Sequence, residues 1–68
     1  MRFICNEETE AYQKSCRTNT LIIPVNAVVE LYYSNNTFVV VKYKDVESNY
    51  QKKTYINKKL WEINFEKI

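Results

Sequence analysis

The sequence predicts a mainly β domain with about five short antiparallel strands and one short N-terminal helix. The strands would form a small sheet or a partly open barrel. Three observations lead there: a pair of β-branched and aromatic runs joined by Ser34-Asn35-Asn36, a heavy aromatic load, and a chain of 68 residues. A chain this short makes one domain, expected to span residues 1–68. It buries only about 60% of the surface its unfolded form exposes, so the core is thin. Six Tyr, three Phe and one Trp would supply much of that core, each ring burying roughly 150–250 Å².

The elements follow in order. Residues 1–5 form a short apolar strand. Asn6 is a good N-cap, and Glu7, Glu8 and Glu10 lie where a helix dipole favours acids, with Lys14 and Arg17 at the far end. A short helix over 7–16 is therefore expected. A strand over 20–23 is stopped by Pro24, which lacks the N–H a central ladder needs, and 25–27 form a single turn. Runs 28–33 and 37–43 make the clearest signal, a hairpin. The chain has no Gly and eight Asn, so Asn35 and Asn36 are expected to take the positive-φ turn positions. Residues 44–49 are polar and read as a loop, 50–56 as a strand, and 57–59 as a turn. At the end, Trp61, Ile63 and Phe65 alternate with Glu62, Asn64 and Glu66, which favours a strand. A helix capped by Asn57 is the competing reading. It would gather Leu60, Trp61, Phe65 and Ile68 and leave Ile63 off that face. This pattern of short strands resembles that of SH3-like barrels.

Composition narrows the function. Hydrophobic residues at 46% and charged residues at 26% give the balance of a folded domain. The sequence has no His and no Gly. That excludes Ser-His-Asp and Cys-His pairings, P-loops, dinucleotide fingerprints and nucleophile elbows. No enzyme activity and no cofactor are expected. Cys5 and Cys16 are too few for a closed zinc site and are expected to be reduced thiols in a cytoplasmic protein. No apolar run approaches the roughly 20 residues of a membrane helix. Abundant Asn, Lys, Ile and Tyr have A/T-rich codons, a composition that phages and mobile elements of low-GC bacteria would share.

Two binding surfaces are expected. With a two-residue turn at Asn35-Asn36, Tyr33 faces Phe38, Leu31 faces Val40 and Val29 faces Lys42. On the other side Tyr32 faces Val39, Glu30 faces Val41 and Val28 faces Tyr43. Both faces are largely apolar, whereas a half-exposed hairpin should show one polar face. Either the hairpin is central and covered on both sides, by other strands on one and by the 7–16 helix on the other, or one face, with Tyr32, Val39, Val41 and Tyr43, meets a protein partner or a second copy. The small mass left to cover it makes the second the expected binding surface. The leading expectation is a non-enzymatic protein-binding module, such as an accessory or inhibitor protein of a phage or mobile element. The alternative is nucleic-acid binding through Lys42, Lys44, Lys52, Lys53, Lys58 and Lys59, interleaved with Tyr. Formal charge is only +2, carried by the second half, where seven Lys stand against four acids. That is well short of a dense basic stripe.

Overall fold

The computed structural model describes residues 1–13, 20–43 and 52–68. They form β1 (Arg2–Cys5), β2 (Thr9–Tyr12), β3 (Thr20–Ile23), β4 (Val28–Ser34), β5 (Phe38–Tyr43), β6 (Lys52–Asn57), α1 (Lys58–Asn64) and β7 (Phe65–Lys67). The domain is therefore mainly β with one short helix, as the sequence predicts, but the helix is near the C-terminus. All strands join one antiparallel sheet in the order β3-β2-β6-β5-β4-β1-β7.

This sheet must roll up. β3 and β4 lie four places apart in the order, about 19 Å if the sheet were flat. Yet they are joined by the turn Pro24–Ala27, closed by Ala27 N–H donating to Pro24 O at 3.2 Å, and such a turn spans less than about 7 Å. The end of β3 is thus brought back onto β1 and β4, where Cys5 Sγ meets Ile23 O at 3.7 Å. β3 and β7 remain the two edges, so the barrel is partly open. Asn26 in that turn has φ 73°, the one positive φ among the described non-glycine residues. The left-handed task expected of Asn35 and Asn36 falls here instead. Asn35 acts as an acceptor, its Oδ1 taking the N–H groups of Thr37 (2.8 Å) and Phe38 (2.9 Å). Asn26→Gly should leave stability within a few tenths of a kcal/mol, and Asn26→Val should cost about 1–2 kcal/mol. Urea midpoints of the two variants would check this.

Two expected elements are corrected. Within 7–16 the described residues hold strand β2, not a helix. Thr9 and Ala11 are buried while Glu10 is exposed, and β2 pairs with β3 from Thr9↔Ile23 to Tyr12↔Thr20. Asn6 and the glutamates could have started a helix, but a helix has no apolar stripe to bury here, whereas period-2 alternation seals one end of the core. Residues 14–16 of that expectation lie outside the described set, as do 44–49, the expected loop, and Cys16. Over 60–68 the helix reading prevails through Asn64. Asn57 Oδ1 caps it by accepting from Lys59 N–H at 2.9 Å. Trp61 and Asn64, three residues apart, turn inward together, and Ile63 is left 74% exposed. Only Phe65–Lys67 is strand, pairing with β1.

One apolar cluster fills the barrel: Cys5, Ala11, Ile23, Val29, Val39, Val41, Tyr43, Ile56, Trp61 and Phe65. Trp61 stacks on Phe65 (centroids 4.7 Å apart) and lies tilted against Phe3 (4.6 Å). Among the described residues no buried side-chain nitrogen or oxygen lacks a partner. Asn64 Nδ2 donates to Thr9 Oγ1 (2.9 Å), Thr9 Oγ1 donates to Glu7 O (2.8 Å), and Asn6 N–H donates to Asn64 O (2.7 Å). These bonds tie the helix to the β1–β2 connection. Cys5 carries a free, buried thiol. No helix among the described residues is long and apolar enough to cross a membrane.

Candidate interaction surface

The register of the hairpin decides which side chains reach solvent. β4 and β5 pair Ser34↔Val39 and Tyr33↔Val40, then Leu31↔Val41 and Glu30↔Lys42, with a bulge between Leu31 and Tyr33. Asn35 N–H donates to Phe38 O at 3.0 Å, so the turn is Asn36-Thr37 and not the expected Asn35-Asn36. The later turn alone would set Leu31 opposite Lys42; the bulge takes up one residue, so Leu31 faces Val41, where Val40 was expected. A one-residue slip exchanges the two faces of a strand. The expected interface is split by it. Val39, Val41 and Tyr43 line the interior, and Tyr32 alone stands outside, 53% exposed. Val39, Val41 and Tyr43 are core residues, not partner-facing ones.

The outward face is built by the alternate residues. In register across four strands run Tyr33, Val40, Tyr55 and Tyr12. The Phe38 ring lies between its neighbours, 6.3 Å from Tyr33 and 5.5 Å from Tyr55 by centroid, tilted 51° and 55°. Val40, in register between Tyr33 and Tyr55, is only 4% exposed although it lies outside the core cluster. Tyr33 itself remains 52% exposed. The Tyr12 hydroxyl donates to Glu10 Oε1 at 3.1 Å. The result is an aromatic strip about four strands wide, roughly 14–15 Å at ordinary strand spacing.

Beside the strip, Glu30, Lys42 and Lys53 lie in register on β4, β5 and β6. The bulge delivers Tyr32 over this row. Lys53 Nζ stands 4.4 Å from the Tyr32 ring centroid and donates to its hydroxyl at 3.3 Å, and Lys42 Nζ stands 5.1 Å from the same centroid. Both ammoniums are thus held by cation–π attraction, worth about 0.5–1 kcal/mol each at exposed sites.

Of the six lysines expected to form one nucleic-acid surface, the five within the described residues are not gathered into a stripe. Lys42 and Lys53 sit at one end of the strip. Lys58 and Lys59 open α1 beyond the other end, past Asn57, about 17 Å from Lys53 along the strand. Lys52 pairs with Tyr43 across β5 and β6, and Lys44 lies outside the described residues. Tyr33, Phe38 and Tyr55 were not singled out from the sequence as a surface. Their signal was present in the alternation of Phe38, Val40 and Lys42 on one strand and Lys53, Tyr55 and Asn57 on the next. No protein-family model, curated protein or solved structure matches the chain.

Proposed function

We propose that this domain is a non-enzymatic protein-binding module whose working surface is the outer face of β4, β5 and β6. The observation that carries the reading is the solvent-facing aromatic strip of Tyr33, Phe38 and Tyr55, with Tyr32 and Tyr33 more than half exposed. Tyr is enriched among the residues that dominate binding energy, since it offers a large rigid area with a polar tip. A cytoplasmic accessory or inhibitor protein of a phage or mobile element would suit this size and composition.

What supports a protein partner over nucleic acid is the way the rings are used. Bases stack on open aromatic faces. Here Phe38 is packed at a tilt between its neighbours, and the face of Tyr32 is engaged by lysine. Capture from nuclease-treated host lysate tests the reading. Tyr33→Ser should lower retention of the captured protein at least tenfold while melting as the parent does. Sedimentation would show whether the captured partner is a second copy. Binding that vanishes on nuclease treatment, with a log–log salt slope near −0.7 to −0.9 per phosphate, would overturn it in favour of nucleic acid.

A further inference from the structure

We infer that the partner presents carboxylates to Lys42 and Lys53 beside Tyr32, as an acidic extended segment of a protein. This rests on the outer face being the binding surface. Lys42 and Lys53 are direct cross-strand partners, and like charges so placed repel. The usual reason for lysine on a strand is to guard a sheet edge. That reason is missing for Lys42, since β5 is paired there on both sides, with Glu30 of β4 and Lys53 of β6. Among the described residues, what the two ammoniums meet is the ring and hydroxyl of Tyr32, not a carboxylate. Tyr32 in turn is placed there by a β-bulge, a device that re-aims a side chain and recurs beside functional sites. Two cross-strand lysines, drawn to one aromatic side chain next to an apolar strip, are complementary to an acid that alternates with apolar residues. Glu30, in register beside Lys42, lowers the local charge and weighs against a polyanion such as nucleic acid.

Amide shifts of the ¹⁵N-labelled domain, titrated with three probes, test this. The probes are a blocked peptide alternating Glu and Leu, its Gln counterpart, and oligo-deoxythymidine. The acidic peptide should move the amides of Tyr32, Lys42 and Lys53 and bind at least tenfold tighter than the Gln peptide. The double variant Lys42→Gln and Lys53→Gln, melting as the parent does, should abolish that tenfold preference and leave the Gln peptide's affinity unchanged. Equal binding of the two peptides would overturn the inference while leaving the outer face as the binding surface. No shift with either peptide would also overturn it, and lysate capture with Tyr33→Ser would then judge the surface separately. Tighter binding of the oligonucleotide than of the acidic peptide would replace the protein segment by nucleic acid.

Discussion

Val41→Glu is expected to unfold the domain, whereas Tyr32→Glu should leave it folded. Val41 is 0% exposed and belongs to the interior cluster with Val39 and Ile56. The cluster around it holds no cation, and a buried unpaired charge is among the few changes that cost more than about 4 kcal/mol. A domain of this length has roughly 3–10 kcal/mol to lose at about 0.05–0.15 kcal/mol per residue. Far-UV circular dichroism and urea titration would therefore find the Val41→Glu chain largely unfolded in buffer. Tyr32 projects from a bulge into solvent, so a carboxylate there stays hydrated and meets Lys42 and Lys53. Its melting temperature should remain close to the parent's. A folded Val41→Glu protein would show that β4 and β5 pair in a register other than Leu31↔Val41.

Trp61→Ala should cost about 3–5 kcal/mol, the usual range for emptying a buried large aromatic site. Trp61 links the helix to the sheet, packing on Phe3 of β1 and Phe65 of β7. Without it α1 loses its main apolar anchor. A seven-residue helix has no stability of its own in water, since isolated helices need about 12–15 residues even in favourable sequences. The control is Ile63→Ala on the same helix, which should change stability by less than about 0.5 kcal/mol because Ile63 is exposed. Were residues 60–66 a continuous strand, Trp61, Ile63 and Phe65 would share a face and the two substitutions would cost alike. Chemical denaturation of both variants separates the two arrangements.

The β-rich class, strands β1, β3, β4, β5 and β6, the stop at Pro24 and the hairpin between β4 and β5 all follow from local chemistry. Alternation, β-branched content, proline and asparagine act over a few residues, so they can be read without knowing what lies across the sheet. Three features needed the tertiary structure. The segment around Thr9–Tyr12 carries helix-capping signals, and only pairing with β3 and β6 makes the extended form the better one. Trp61–Phe65 alternates like a strand, yet the cavity at the end of the barrel accepts Trp61 and Asn64 from one turn of helix, where Thr9 waits to bond Asn64. The third is the hairpin register. Its turn offers Asn35, Asn36 and Thr37 in succession, and a turn one position later is locally almost as good. The choice is made by the core, which takes Val39, Val41 and Tyr43 together with Leu31 and Val29, and by the bulge that releases Tyr32. Residue types along the two strands therefore announced an apolar hairpin. Which of its side chains reach solvent depended on a net shift of one residue, the later turn less the bulge, and that shift is settled only by what the barrel interior can bury.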